Sequence, residues 1–578
     1  MEETLSDLPL LFVDCQANGP SPHHASPLEL GWVKTCARQA ERLTPEAIQS
    51  FRFFLEPGEV LSSRIATLTG ITPADLTRGL PADWIWQRIL TALGSPDGQA
   101  DPRRPAVAHY ARYERPLLQR LHAQHGQGTP FPFDLLCTHE IGKRLLPDLP
   151  RKSLRALSGY FGEHLAEPKR ASAHVLATVV VWRELVLLLE KEQGIGTLAA
   201  LQQWLQRAPQ VVPAVPAARK RFRMARDSRL GLPDSPGVYR MLGKGGQVLY
   251  VGKASSLRDR VNQYFRATRG LSERTQELVT QIWDIQVTGT ETSLEAALLE
   301  TDEIKHHHPT YNQSLRDVHR RRLWHLAPAD LSCRLHPSAD AVRGPGPIPA
   351  ISPPILPGLL HGWLLQPERT PVPEALVSLV PPADAALLDA ALSCFRTRRG
   401  APGRNRSAWA WLLGLEGALL AERQTEQSTE RADEEAPSAE QAPAADPLEG
   451  LVRFLEGWVL HLGRLARRGC FIRWLADSRL VWSPEPGASD SRRAIAFFGA
   501  EIVERRSTPG SSIAWDCPPP GRPLFQRAAG LDLAAYDRLR VLITELRRLA
   551  PLDSTVQIFL SPQISLDQAG LLRLLSRI

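Results

Sequence analysis

Apolar and polar positions alternate with two different periods along this chain, and the switches between them outline its elements. LPLLFVDCQANG (Leu8 to Gly19), LELGWVKTCA (Leu28 to Ala37) and AIQSFRFFLEP (Ala47 to Pro57) are rich in β-branched and aromatic residues and predict three successive strands. TGITPADL (Thr69 to Leu76) opens a helical turn, and Trp84 to Leu93 carries an amphipathic helix. RPAVAHYARYERPLL (Arg104 to Leu118) predicts a buried strand running into a helix, and PFDLLCT (Pro132 to Thr138) is followed by two more helices. A helix through Thr197 to Arg207 leads into the proline-rich APQVVPAVPAA (Ala208 to Ala218), a stiff spacer. That spacer ends in Arg219-Lys220-Arg221-Phe222-Arg223, so a domain boundary is expected there.

The next stretch is the most informative. PGVYRML, a Gly-Lys-Gly-Gly turn and QVLYVGKASSLRDRVNQ (Pro236 to Gln263) predict a hairpin followed by a basic helix, because glycine tolerates the positive φ of a tight turn. Leu257, Val261 and Tyr264 recur at helical spacing, with Arg258 and Arg260 between them. Two tyrosines, a lysine and an arginine are thereby gathered beside a basic surface, which suits a phosphate group. Farther on, Thr292 followed by Glu295 is a capping-box pattern that gives Glu295 a local structural task.

From Pro337 to Gly358 proline, glycine and alanine crowd the chain, and helical patterns follow around Ala375 to Phe395 and Trp409 to Ala421. Glu422 to Pro447 is acidic and nearly devoid of apolar residues, so disorder is expected. The remainder predicts a helix (Leu448 to Arg468), strands in CFIRWLA, RLVWSP and RAIAFFGAEIVERR, a helix (Ala534 to Leu549), a strand at TVQIFLS and a short last helix. That is a small α+β domain in which no catalytic constellation is visible.

Length and charge narrow the class. A chain of 578 residues exceeds a single core, and a formal charge of +7 suits a polyanionic partner. No apolar run reads as long enough to cross a bilayer and no secretory leader pattern opens the chain, so a cytoplasmic protein is expected. Seven scattered cysteines without a Cys-x-x-Cys pair indicate neither a disulfide framework nor a zinc site.

Gly237-Val238-Tyr239 and Tyr250-Val251-Gly252-Lys253-Ala254, then QYFR (Gln263 to Arg266), ETSLEAALLETDEIK (Glu291 to Lys305) and Pro309-Thr310-Tyr311-Asn312, resemble the GIY-YIG nuclease module in its UvrC form. The resemblance implies Tyr239 as general base, with Tyr250 and Lys253 positioning it and the water. Arg260 would stabilise phosphoryl charge, Tyr264 would hydrogen-bond the phosphate and Asn312 would close the site. Glu300, at the family's spacing to Asn312, is the expected metal ligand, and an oxygen donor points to Mg²⁺ or Mn²⁺. Arg258 and the run Arg320-Arg321-Arg322 are candidate DNA contacts.

The amino-terminal region (Leu8 to Leu189) resembles epsilon-type DEDD 3′-to-5′ exonucleases on a ribonuclease-H-like fold. That family holds two cations with four carboxylates and activates water with a histidine. Asp14 keeps the first position, but Gln16 stands where the family has glutamate and Glu114 where it has aspartate. Lys169 falls at the base position and His174 at the last carboxylate. An amide supplies no charge and an ammonium repels cations, so the site reads as inactive; a rearranged single-metal site on Asp14, Glu114 and His174 is the alternative.

The expected architecture is α/β multidomain. Residues 1–207 would form the exonuclease-like domain, 208–226 a linker, 227–320 the GIY-YIG endonuclease domain, 321–421 a mostly helical connection, 422–447 a disordered linker and 448–578 the α+β domain. The expected activity is metal-dependent incision of one strand of damaged duplex DNA, in a UvrC- or Cho-like role in nucleotide excision repair beside UvrA- and UvrB-type proteins. A 3′-to-5′ exonuclease or a repair and replication partner-binding protein are the alternatives.

Overall fold

The computed structural model describes residues 3–55, 59–94, 103–165, 169–208, 222–266, 270–313, 315, 323–326, 335–337, 348–349, 385–399, 415, 417–422, 446–484, 491–509 and 531–578. The chain divides into two compact units, one of Met1–Gly289 with Pro309–Tyr311 and one of Thr290–His308 with Asn312–Ile578.

The first unit begins with a five-stranded sheet in the order β3-β2-β1-β4-β5, built from β1 (Leu10–Ala17), β2 (Pro27–Thr35), β3 (Gln49–Arg52), β4 (Arg104–Ala108) and β5 (Phe133–Cys137). β1 runs antiparallel to β2 and parallel to β4, which is parallel to β5. This is the ribonuclease-H-like arrangement. β1 is buried on both faces: Leu10 and Phe12 join one core, Leu11, Val13 and Cys15 the other. Helices α1 (Ser63–Thr69), α2 (Pro73–Thr77) and α3 (Ala82–Leu93) precede β4, and α4 (Ala111–His125) follows it. Then come α5 (Thr138–Leu145), α6 (Leu154–Phe161), α7 (Ala171–Leu188) and α8 (Leu198–Gln206), so three helices rather than two separate β5 from the Thr197 cap.

One expectation is overturned here. The helical run Ala171–Gln193 is, by length and composition, apolar enough to cross a membrane. Its apolarity is explained by packing, since Val175, Val179, Trp182, Leu185 and Val186 all lie in the core against Leu10 and Phe12.

After α9 (Arg226–Leu230), β6 (Gly237–Leu242) and β7 (Val248–Ala254) form the expected hairpin, and β8 (Asp284–Gly289) pairs with the other edge of β6. Gly246 sits at φ 78° in the turn. Helices α10 (Leu257–Arg266) and α11 (Glu273–Thr280) pack on this sheet through Leu257, Val261, Phe265, Leu278 and Val279. Within the same unit α11 and its flanks meet α6. The Trp283 indole donates to the Gly159 carbonyl at 2.9 Å, and Arg151 grips Glu273 through two bonds of 2.9 and 3.0 Å. The Arg223 guanidinium lies 4.2 Å from the Tyr160 ring centre and 5.0 Å from that of Trp283.

The second unit contains α12 (Ser293–His307) and a small sheet of β9 (Leu323–Leu326), β10 (Leu335–Pro337) and β11 (Ile348–Pro349) in a stretch expected to be mostly helical. The helix Ala385–Arg399 is present, whereas the acidic stretch 423–445 lies outside the described residues. A 29-residue helix, Pro447–Leu475, corrects the strand expected at CFIRWLA. Phe471 and Ile472 are buried together with Leu475 one helical turn on, so tertiary packing outweighs their strand propensity. A five-stranded sheet follows in the order β14-β13-β12-β15-β16, with β12 (Arg479–Trp482), β13 (Ser491–Phe498), β14 (Glu501–Pro509), β15 (Gln557–Ser561) and β16 (Ile564–Leu566) all antiparallel. Helices Leu533–Leu549 and Gln568–Leu575 complete this α+β domain.

Candidate active site

Register across the β6–β7 hairpin builds the tyrosine site. Tyr239 faces Gly252 and Met241 faces Tyr250, so both tyrosines stand on one side of the sheet as diagonal neighbours. A Cβ at Gly252 would lie 2.4 Å from the Tyr239 hydroxyl and 2.8 Å from Tyr250 Cε1, which is why the second motif ends in glycine. Gly237 is needed for the same reason, since its Cβ would meet the Thr288 carbonyl at 2.4 Å. Tyr264, from α10, completes a triangle of rings with centres 6.1 to 6.3 Å apart. Its hydroxyl and that of Tyr239 are hydrogen-bonded at 3.0 Å.

Tyr239 is buried to 1% exposure, and its acidity follows. Burial pushes its phenol well above the ordinary value, and the Tyr264 and Tyr250 hydroxyls push it further; Arg260 is the cation that pulls it down. Arg260 lies one turn before Tyr264, 5.4 Å from that ring, and shares a 3.1 Å bond with Gln263. Lys253 pairs with Val238 in the register, so strand alternation places it on the sheet face opposite Tyr239 and Tyr250. Arg258 pairs with Asp234, which ties α10 to the segment before β6.

Glu300 and Asn312 belong to the second unit, where Glu300 is half-buried on α12 and Asn312 is 6% exposed. Glu295 has the structural task foreseen for it: Thr292 Oγ1 accepts its backbone N–H, and its carboxylate takes Arg493 at 2.6 Å. Arg320, Arg321 and Arg322 lie outside the described residues. Among the described residues no three His, Cys, Asp or Glu side chains are grouped to hold a metal ion. A lone carboxylate such as Glu300 fits Mg²⁺ or Mn²⁺, hard cations that keep several waters and share substrate phosphates.

In the ribonuclease-H-like sheet, Asp14 and Gln16 follow Leu10 and Phe12 on the face covered by α7, and His174 comes from the first turn of α7. Arg170 and the Ala171 N–H hold Glu29 of β2 and so fix where α7 begins. Gln16 Nε2 donates to Asp14 Oδ2 at 2.6 Å, and His174 Nδ1 lies 3.2 Å from Asp14 Oδ1. Glu114 accepts the Cys15 N–H at 3.0 Å. Its carboxyl is raised well above the usual range by burial, with the Asp14 charge adding to it. The structure thus gathers Asp14, Gln16, Glu114 and His174. Lys169, half-buried, precedes α7 and donates its backbone N–H to Leu68.

The tyrosine triangle on a three-stranded sheet defines a GIY-YIG nuclease module, and the family model of the UvrC-like GIY-YIG domain matches residues 235–313. The UvrABC system protein C of Psychrobacter sp. (strain PRwf-1) is 54% identical over 86 residues, 15% of this chain and 14% of that protein. A putative bifunctional exonuclease/endonuclease protein of Mycobacterium tuberculosis (strain CDC 1551 / Oshkosh) is 29% identical over 357 residues, 60% of this chain and 51% of that protein. The chain therefore spans no more than about half the length of these curated relatives. The magnesium-bound GIY-YIG endonuclease domain of Thermotoga maritima UvrC is 30% identical, with 15% of this chain and 93% of that one covered at a TM-score of 0.14.

Two groups of residues were not visible as site features in the sequence. The spacing requirement at Gly252 was available in principle, because a small residue opposite a large one in a hairpin signals close approach. Arg493, Asp537 and Arg538, which contact α12, carry no local signal, because their partners are more than 180 positions away.

Proposed function

We propose that this chain is a metal-dependent DNA endonuclease that incises one strand of damaged duplex, in a UvrC- or Cho-like role. The observation that carries the reading is the Tyr239–Tyr250–Tyr264 triangle with Arg260 at its edge, inside the segment matched as a UvrC-like GIY-YIG domain. Tyr239 is the general base. The burial that makes its proton hard to remove also makes its phenolate a strong base once formed. Tyr264 orients that oxygen through the shared hydrogen bond, and Arg260 presents its planar fork to phosphoryl oxygens. Glu300 would hold Mg²⁺ or Mn²⁺, which when bound neutralises phosphate charge and acidifies water. Asn312 closes the site, and proteins of the UvrA and UvrB type supply damaged DNA to it.

The ribonuclease-H-like fold is, on this reading, an inactive exonuclease. Gln16 and His174 already engage both oxygens of Asp14, and Glu114 is favoured in its neutral form. The test uses a lesion-bearing, end-labelled duplex with Mg²⁺, with and without UvrA and UvrB, and maps the cut to the nucleotide. Nicking lost in Tyr239→Phe and Glu300→Ala supports the proposal; nicking retained in both sinks it. Mg²⁺-dependent shortening of a 3′ end by Glu300→Ala protein would instead establish an active exonuclease.

A further inference from the structure

One face of α12 is buried against the carboxy-terminal α+β domain within the second unit. Leu294 and Leu298 are part of that domain's core, together with Ile495, Phe497, Tyr536 and Leu539. Ion pairs surround them. Glu295 takes Arg493 of β13 at 2.6 Å with the pair only 6% and 8% exposed, and Asp302 takes Arg538 at 2.8 Å. Lys305 takes Asp537 at 2.8 Å with exposures of 9% and 0%. Ser507 adds a 2.8 Å bond to Glu291.

These contacts obey one geometry. At 100° per residue, positions 294, 295, 302 and 305 all fall within about 60° of Leu298, whereas Glu300 falls about 160° away. The acid and base residues gripping α12 are thus on the reverse of the helix from the carboxylate expected to hold the cation. Net stability does not account for such a grip. A buried ion pair returns little over an apolar contact of the same shape, but it admits only one arrangement of its partners. The two recessed pairs, Glu295–Arg493 and Lys305–Asp537, therefore specify the helix's rotation and height more than they strengthen the fold.

We propose that the carboxy-terminal domain is the positioning element for the endonuclease's cation. Arg493, Asp537 and Arg538 hold α12 through Glu295, Lys305 and Asp302, and so set the carboxylate of Glu300. The inference rests on the endonuclease reading of Glu300, and it assigns a task to a domain in which the sequence shows no catalytic constellation. These are positioning residues that act through α12.

The test uses the full chain and reads Mn²⁺ binding directly, by calorimetry or by electron paramagnetic resonance, beside the Mg²⁺ dependence of nicking. Asp537→Asn and Arg538→Gln remove partners of Lys305 and Asp302, Asp537→Glu restores the charge, and Leu571→Ala perturbs the same core from the last helix. Loss of a residue that orients a ligand weakens metal binding about tenfold or more. Asp537→Asn and Arg538→Gln should weaken Mn²⁺ by that factor and raise the Mg²⁺ needed for half-maximal nicking alike. The KM for DNA should be unchanged, and Asp537→Glu should recover most of the affinity. Should Asp537→Asn fail to fold, Arg538→Gln carries the same test. Wild-type Mn²⁺ affinity in both variants, with binding lost in Glu300→Gln, overturns the proposal. So does an equal loss in Leu571→Ala, which would mark general destabilisation. If Glu300→Gln itself binds Mn²⁺ and nicks like wild type, the endonuclease reading of Glu300 has failed and this proposal falls with it, a pattern distinct from the other two.

Discussion

Gly252→Ala puts the reasoning about the tyrosine site under the most direct strain. The added methyl would stand 2.4 Å from the Tyr239 hydroxyl and 2.6 Å from its Cζ, so the phenol must retreat by about 1 Å to reach an ordinary contact. Tyr239 is 1% exposed and hydrogen-bonded to Tyr264, so that retreat displaces the triangle rather than one free side chain. Overpacking of this kind costs about 1–3 kcal/mol of stability. A displacement of roughly 1 Å in a reacting group costs about 10²-fold in rate, or about 2.7 kcal/mol of transition-state stabilisation. Gly246→Ala is the matched control. At φ 78° it costs about 1–2 kcal/mol of backbone strain, yet nothing lies within 4 Å of its Cβ. Single-turnover nicking of an end-labelled duplex by each full-length variant, with melting followed in parallel, should show comparable destabilisation but a large rate loss in Gly252→Ala alone. Wild-type nicking by Gly252→Ala, or equal losses in both, refutes the placement of Tyr239 at the reacting centre.

Three further outcomes follow from the electrostatics and geometry. Tyr264 raises the Tyr239 phenol by its charge and its hydrogen bond, so Tyr264→Phe should shift the acid limb of the nicking profile toward lower pH even as the maximal rate falls; an unmoved limb would exclude Tyr239 as the titrating base. Arg260→Lys keeps the charge but loses the planar fork and should slow nicking by about 10²-fold with little change in melting. Glu114 is raised above its ordinary 4.5 in the folded protein, so its stabilising contribution is complete below that value and is lost as pH rises through the folded value. Melting temperature in the first unit should therefore decline as pH rises above the ordinary carboxylate value, and Glu114→Gln should flatten that decline.

What the sequence revealed divides along physical lines. The hairpin at Gly237 to Ala254 was legible because turn chemistry and alternation are local, and so was α12, whose Thr292 cap lies three residues from its partner N–H. Asp14, Gln16, Glu114 and His174 could be brought together only through resemblance to a known sheet order, since Asp14 and His174 are 160 positions apart. Two local readings failed for the same reason. Phe471 and Ile472 have strand propensity but are buried by a helix's tertiary contacts, and the apolar run of α7 owes its character to the sheet it covers.

The ribonuclease-H-like fold acquires a different meaning from its contacts with α11. At its β1 end, an amide and an imidazole engage the carboxylate of Asp14, groups that bring no negative charge for a cation pair. At α6 the same fold is closely fitted to its neighbour. A Cβ on Gly159 would lie 2.3 Å from the Gln281 side chain, Trp283 donates to the Gly159 carbonyl, and Ser153 bonds Glu277. Glu277 in turn accepts the hydroxyl of Tyr311, whose backbone N–H returns to Leu249 beside Tyr250 in β7. A chain of partly buried polar contacts therefore runs from α6, through α11, to the strand bearing the second motif tyrosine. Groups that satisfy one another in this way at a partly buried seam fix geometry as well as adhesion. The ribonuclease-H-like fold is thus joined, through α6 and α11, to the strand that carries Tyr250.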